Sequence, residues 1–339
     1  MRDTGSIEGM AEGCLVSKGC RICHEGATMV LFITGLCSRT CWYCPLSSAR
    51  KDHDLTYANE RLIVSPEEAI ETALLMSALG TGVTGGEPLL RLDRVLEYCS
   101  RIKEDLGKQH HIHLYTGFAP GKEVLASMKG VIDELRMHPP MEIWPEIGGS
   151  AYLNAAVEAK KQGFSVGIEV PSLPGLDYLT QILPFIDFLN INELEWGERN
   201  AAEMRRRGFG LEDGVHNAVM GASKWAEEIC RDGKVHWCAS GFKDSVQLRK
   251  RLIRIARNTA RPFDEVTTDG TVVYGVLQTE GDTRVSLPGE FRPGTFERHG
   301  DTIEMDWQLL MAYRDYLPGE KSIIERYPDR GIVVEVTPL

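Results

Sequence analysis

Three thiols fall within eight residues, Cys37-Ser-Arg-Thr-Cys41-Trp-Tyr-Cys44, a soft ligand set with one metal position left open. A structural zinc site closes with four ligands. Three therefore invite a zinc knuckle that borrows a distant donor, or an iron–sulfur cluster whose fourth iron is offered to a small molecule. A second set, Cys14, Cys20 and Cys23, is spaced C-x5-C-x2-C and is followed at once by His24. Cys238 ends the run VHWC far downstream and is placed to close a four-thiolate site when the chain folds back. The expectation here is an auxiliary iron–sulfur cluster at Cys14, Cys20, Cys23 and Cys238, with His24 the alternative fourth ligand and zinc the alternative metal. Six of the nine cysteines lie between residues 14 and 44, and the odd total fits metal or catalysis better than a closed disulfide framework. Cys99 and Cys230 sit in helical patterns and read as small buried hydrophobes.

Thr84-Gly85-Gly86-Glu87-Pro88 is the other chemically suggestive run. Consecutive glycines let backbone approach a ligand closely, and Glu87 can accept a charge-assisted bond from an ammonium. Without the cysteine loop nearby, a plain turn would be the better reading. Further polar residues fall at expected strand ends: Thr116, Arg136, His138, Glu169, Asn192, Glu193 and Glu195. Of these, Thr116, His138, Glu169 and Asn192 are the leading cofactor contacts, together with Thr84, Gly85, Gly86 and Glu87. Ser165, Gly167 and Glu169 alternate with Phe164, Val166 and Ile168, so one face of that strand is small and polar.

The elements that must position these residues alternate along the chain. Met29–Thr34 (MVLFIT) is a short apolar, β-branched run stopped by Gly35, hence a buried strand. Ser65-Pro66-Glu67-Glu68 reads as an N-cap, a proline and an acidic first turn that open a helix to about Leu79. Strands are then expected at Gly82–Thr84, His111–Thr116, Ile132–Met137, Phe164–Val170 and Phe188–Leu194. Helices are expected at about 92–106, 121–129, 150–162 and 178–187. Six strands separated by helices imply a parallel sheet, either a partial barrel or an open doubly wound sheet. After Trp196 the rhythm changes to a helix over about 214–230, a short strand Val235–Cys238 and a basic helix Ser245–Thr259. Asp269-Gly270 then marks a hairpin that opens an α+β appendage.

The two motifs together, C-x3-C-x2-C with an aromatic before its last cysteine and the GGE turn after the second strand, resemble the signature of the radical S-adenosylmethionine (SAM) superfamily. The resemblance spans residues 29 to about 195 and is nearest to archaeal proteins related to the pyruvate formate-lyase activating enzyme. It implies a partial (β/α)6 TIM-like barrel for the core (29–196); the rest of the chain reads as an N-terminal Cys-rich segment (1–28), a helical extension (197–260) and a C-terminal α+β appendage (261–339), and the first and last of these are absent from the minimal activating enzymes. It also implies a [4Fe-4S] cluster on Cys37, Cys41 and Cys44, with SAM chelated to it and the SAM amino group held at the GGE turn. One electron from a flavodoxin- or ferredoxin-type reductant would cleave the sulfonium bond and give a 5′-deoxyadenosyl radical that abstracts hydrogen. An exposed iron site would make such a protein oxygen-sensitive, hence anaerobic.

Composition narrows the partners. The 339 residues are 42% hydrophobic and 26% charged, which excludes a disordered chain. The formal charge of -11 argues against sequence-blind wrapping of nucleic acid. Lys250, Arg254, Arg257 and Arg261 nevertheless stripe one helix face, and Arg205-Arg206-Arg207 forms a second basic cluster, so a local RNA surface stays open beside a solvated, salt-bridged face. No apolar run reaches the ~18 residues of a membrane span, and Met1–Met10 lacks the blocks of a signal peptide, so a cytoplasmic protein without a membrane partner is expected. Three readings follow: radical modification of a macromolecule such as RNA or of a metabolite, installation of a glycyl radical on a partner protein, and a non-catalytic zinc-dependent RNA-binding module.

Overall fold

The computed structural model describes residues 16–214, 217–279 and 287–339; Cys14 lies outside them. The chain divides into two compact units, one with residues up to Leu74 and Ala78–Gln247, the other with Leu75–Ser77 and Leu248–Leu339. No helix among the described residues is long and apolar enough to cross a membrane.

The first unit is built on a nine-stranded sheet. Helix α1 (Lys18–His24) precedes β1 (Thr28–Phe32), the hairpin β2 (Thr56–Ala58) and β3 (Arg61–Ile63), helix α2 (Pro66–Leu75) and β4 (Gly80–Thr84). Then come α3 (Leu92–Leu106), β5 (His111–Thr116), α4 (Lys122–Met128), β6 (Glu134–Met137), α5 (Ala151–Gln162), β7 (Ser165–Pro171) and β8 (Phe188–Asn192). Short helices α6 (Ala201–Arg206) and α7 (Ala222–Ala226) lead to β9 (Val235–Cys238) and α8 (Ser240–Phe242). The order is β3-β2-β1-β4-β5-β6-β7-β8-β9, and the seven strands from β1 through β9 pair in parallel.

Two differences from the sequence expectation concern the far end of this sheet. The alternation does not stop after Trp196, because β9 pairs with β8 in parallel, Asn192 opposite Cys238, and adds a seventh strand. The long helices expected near 178–187 and 214–230 are instead short turns. Pro184 interrupts the first, leaving 3-10 turns at Leu176–Gln181 and Leu183–Phe185. In the second, Gly221 at positive φ starts only the five-residue α7. The hairpin β2–β3 was not expected. Its two-residue turn rests on Asn59 at φ 52, whose side chain also accepts from Val30 N at 2.9 Å.

Strand alternation sorts the sheet into two chemistries. Ile112, Leu114, Leu135, Met137, Val166, Ile168, Leu189, Ile191 and Trp237 are buried on one face. The alternate positions His111, His113, Tyr115, Glu134, Arg136, Glu169, Asn190, Asn192, His236 and Cys238 share the other face. Helix α1 lies on this polar face. Ser17 caps it by accepting from Cys20 N at 3.2 Å and also donates to Glu134 Oε1 at 3.1 Å. Gly19 comes so close that a Cβ there would sit 2.5 Å from Arg136 Nη2 and 2.9 Å from Glu134 Oε1. Gly167 is needed for the same kind of reason, since a Cβ would meet the Phe188 ring at 2.1 Å.

The second unit carries α9 (Leu248–Thr259), β10 (Glu265–Val266), β11 (Val272–Gln278), β12 (Phe296–His299), β13 (Thr302–Met305), α10 (Trp307–Ala312), β14 (Glu320–Arg326) and β15 (Val333–Pro338). Its antiparallel sheet runs β12-β13-β11-β14-β15, with β10 beside β11 across the expected Asp269-Gly270 turn. Leu277, Ile303, Met305, Leu310 and Leu317 form its core. The basic stripe on α9 is partly committed inside this unit. Arg254 donates to the carbonyls of Met76 and Ser77, and Arg261 is held by Asp264 and Glu304.

Candidate active site

The cysteine loop leaves the carboxyl end of β1 and is closed at its base by Gly35. Gly35 N donates to His53 O at 2.8 Å and Asp52 N to Gly35 O at 2.9 Å. No side chain fits at Gly35, where a Cβ would lie 1.7 Å from the Arg50 carbonyl oxygen. The loop then fastens to the diglycine turn that follows β4: Gly86 N donates to Thr34 O at 2.7 Å and Glu87 N to Leu36 O at 2.8 Å. A Cβ on Gly85 would lie 2.5 Å from Thr34 O, and one on Gly86 2.4 Å from Leu36 O. The two glycines thus admit the cysteine loop itself, a closer approach than their sequence alone suggested.

Glu87 is buried, and its carboxylate accepts from Thr116 Oγ1 at 2.6 Å, Gly117 N at 2.7 Å and Leu89 N at 3.1 Å. Burial pushes its pKa up against these bonds. Of about four lone-pair positions on a carboxylate, three are engaged, leaving one for a cationic ligand. Thr116 thus reaches the site through Glu87 and accepts from Phe118 N at 3.0 Å.

A cavity of about 380 Å³ opens where these elements meet. Its lining brings together Cys37, Cys41 and Cys44, the turn Thr84, Gly85, Gly86 and Glu87, and Thr116, His138, Glu169 and Asn192. Residues from β1, β4, β5, β6, β7 and β8 converge there from their carboxyl ends, the usual location of sites in α/β folds.

Arg39 in the lining and Tyr152 behind it gave no sequence signal. Arg39, inside the cysteine loop, donates to His138 O at 2.9 Å and to the Tyr152 hydroxyl, which in turn donates to Gly117 O at 2.5 Å. Tyr43 shares a hydrogen bond of 2.9 Å with His138 Nε2, while His138 Nδ1 faces Glu169 O at 2.9 Å. Burial lowers the His138 pKa, so the ring is neutral at pH 7. Glu169 accepts from Arg136 at 2.8 Å, Asn190 at 2.9 Å and Asn192 at 2.8 Å. The glutamates after β8 are also occupied: Ser240 N donates to Glu193 at 2.8 Å and Lys243 to Glu195 at 2.6 Å. The middle residue of Cys-Ser-Arg-Thr-Cys and an isolated tyrosine 113 residues on carry no motif, so the sequence holds no sign of Arg39 and Tyr152 as partners.

The thiol geometry bears on the metal. A tetrahedral zinc thiolate site, with Zn–S bonds of about 2.3 Å, holds its sulfurs roughly 3.8 Å apart. The donor groups gathered within 4.8 Å among the described residues are His111, His113 and Glu134, and Glu297, His299 and Glu304. Cys37, Cys41 and Cys44 are not among these groups. Arg39 N donates to Cys37 Sγ at 3.4 Å, the kind of bond that tunes a ligating sulfur.

Comparison with known proteins bears on the cofactor and the family. Residues 18–135 match a family model described as a 4Fe-4S single cluster domain, and residues 270–339 match a domain of unknown function. A protein of Methanocaldococcus jannaschii named "Putative glycyl-radical enzyme activating enzyme" is 39% identical over 275 residues, covering 77% of this chain and 73% of the relative. This chain is a radical SAM enzyme. Its cofactors are a [4Fe-4S] cluster and SAM. Among solved structures, Streptococcus suis SuiB bound to S-adenosylmethionine matches with a TM-score of 0.42 at 12% identity over 63% of this chain. The chain spans about half of SuiB, 50% of its length. A spore photoproduct lyase mutant matches with a TM-score of 0.39 at 8% identity, covering 70% of this chain and 88% of that one. Membership of an enzyme family sets aside the non-catalytic RNA-binding reading.

Proposed function

We propose that Cys37, Cys41 and Cys44 ligate the [4Fe-4S] cluster, that SAM occupies the 380 Å³ cavity against Thr84, Gly85, Gly86 and Glu87, and that the substrate is a glycine in a partner protein. The parallel sheet is read as the superfamily's incomplete barrel, with α1 on the face such a barrel encloses. When bound, the cluster and SAM supply one-electron cleavage of the sulfonium bond, the electron coming from a flavodoxin- or ferredoxin-type reductant, and a 5′-deoxyadenosyl radical able to take a hydrogen atom.

The chain's own residues bind, orient and shield. The pairing of Gly86 and Glu87 with Thr34 and Leu36 fixes the distance between the thiols and the turn. Glu87, braced by Thr116 and Gly117, offers its remaining lone pair to the SAM ammonium. Neutral His138, held by Tyr43 and the Glu169 carbonyl, keeps its place without adding charge beside the cluster. The single observation that carries this reading is the convergence of the three thiols and the GGE turn on one cavity.

Support for a glycine substrate comes from the name of the 39% identical relative. The RNA alternative is weakened by the basic clusters, whose members are engaged locally: Arg206 and Arg207 pair with Glu203, and Arg207 lies over the Trp42 ring at 4.2 Å. The test is to grow the host on α-deuterated glycine and incubate its protein extract anaerobically with enzyme, SAM and dithionite. Deuterium in 5′-deoxyadenosine, with a protein-borne radical in the electron paramagnetic resonance spectrum, is expected. Unlabelled 5′-deoxyadenosine, formed in full with extract present, would overturn the glycine reading.

A further inference from the structure

The polar face of the sheet holds a second collection of soft donors that the SAM cavity does not use. Cys20 and Cys23 sit three residues apart on α1, and Cys238 ends β9 more than two hundred residues later. The His24 and His236 rings, from those same two elements, lie with centroids 5.1 Å apart, so the carboxyl end of α1 faces β9. Asn190 Nδ2 donates to Cys20 Sγ at 3.2 Å, and Asn190 is the register partner of His236. A side-chain amide aimed at sulfur is the outer-shell contact that orients a ligating thiolate.

His236 is the decisive neighbour. It is buried, and both of its ring nitrogens lack a hydrogen-bond partner. A buried unpaired imidazole is costly, and such groups call for an ion or another explanation. On the strand it is two residues from Cys238 and therefore on the same face.

We infer that Cys20, Cys23, Cys238 and His236 ligate a second iron–sulfur cluster, separate from the one on Cys37, Cys41 and Cys44. The match to the single-cluster family model covers residues 18–135, and His236 and Cys238 lie outside it. Positive charge to balance the thiolates is at hand, since Arg136 and Lys243 are the cations acting on Cys23 and Cys238. Asn190 also donates to Glu169, which lines the SAM cavity, so a two-residue hydrogen-bonded path joins the two centres.

The test uses the full chain with the first cluster removed. The variant Cys37→Ala/Cys41→Ala/Cys44→Ala, reconstituted anaerobically with ferrous iron and sulfide, should retain about four irons and four sulfides per chain and an iron–sulfur absorption spectrum. Adding His236→Ala should lower that iron content at least twofold, and His236→Cys should restore it. Iron absent from the triple variant, or stoichiometric zinc in its place, would overturn the inference. Full iron retention after His236→Ala together with loss after Cys14→Ala would overturn the assignment of His236. Because the triple variant lacks the SAM-binding cluster, neither result depends on whether the glycine reading is right.

Discussion

Glu87 N donates to Leu36 O at 2.8 Å, one residue before the first thiol of the cysteine loop. This bond and its neighbour from Gly86 to Thr34 make two separate sequence motifs into one structural object. Neither motif can move without the other.

Gly86→Ala places a Cβ 2.4 Å from Leu36 O and 2.6 Å from Gly35 O, both backbone atoms that cannot step aside. We expect a loss of about 1–3 kcal/mol in stability and a fall in iron content. Gly149→Ala, where a Cβ meets nothing within 4 Å, is the control and should leave both within error. Urea unfolding and iron assay of the two variants make the comparison.

Glu87→Gln turns one accepting oxygen into a donor that faces Thr116 Oγ1 or Gly117 N. An unsatisfied buried group of this kind costs about 1–3 kcal/mol. A rise in the KM for SAM with the cluster still assembled is expected; an unchanged KM would mean that Glu87 only braces the turn.

Arg39→Ala removes the link from the cysteine loop to His138 O and Tyr152 while leaving every thiol in place. Slower cluster reconstitution and a lowered rate of SAM cleavage should follow, with Arg39→Lys rescuing only part of the loss because an ammonium lacks the planar guanidinium fork that spans these two acceptors. Equal rates for Arg39→Ala and the parent would show that the loop holds its shape unaided.

His110 is buried against Thr81, with Nε2 2.9 Å from Thr81 Oγ1, and burial followed by the charge of Lys103 lowers its pKa to about 4. The unfolded chain, with an ordinary histidine near 6.5, binds more protons between those two values. Stability therefore rises with pH through the window and is lost as pH falls from about 6.5 to 4, by on the order of 3 kcal/mol for this group. Denaturation of the parent and of His110→Asn at pH 7 and pH 4.5 should show a flatter pH response in the variant. Parallel slopes would remove His110 from the account.

Much of this was legible because the chemistry of the strands is periodic. In His111–Thr116 the histidines and tyrosine fall on alternate positions from Ile112 and Leu114, and the sequence shows both the strand and its polar face. Ser150 before α5 and Gly163 after it, at φ 97, mark that helix at both ends, and its expected span of about 150–162 matches Ala151–Gln162. Short-range signals failed where the deciding partner is distant. The strand Val235–Cys238 is where the sequence puts it, but its parallel pairing with β8, which makes it the seventh strand of the sheet, has no local signal. Glu87 looked free to meet a ligand because Thr116 and Gly117, its partners, are some thirty residues away.

The most direct measurement is SAM cleavage by anaerobically reconstituted enzyme and by Cys37→Ala, Cys41→Ala and Cys44→Ala. With dithionite the parent should yield 5′-deoxyadenosine and methionine in equal amounts, and each single variant should fall by at least a hundredfold. Variants that cleave SAM at the parent rate would contradict the assignment of those three thiols, as would a parent that binds zinc there and yields no 5′-deoxyadenosine.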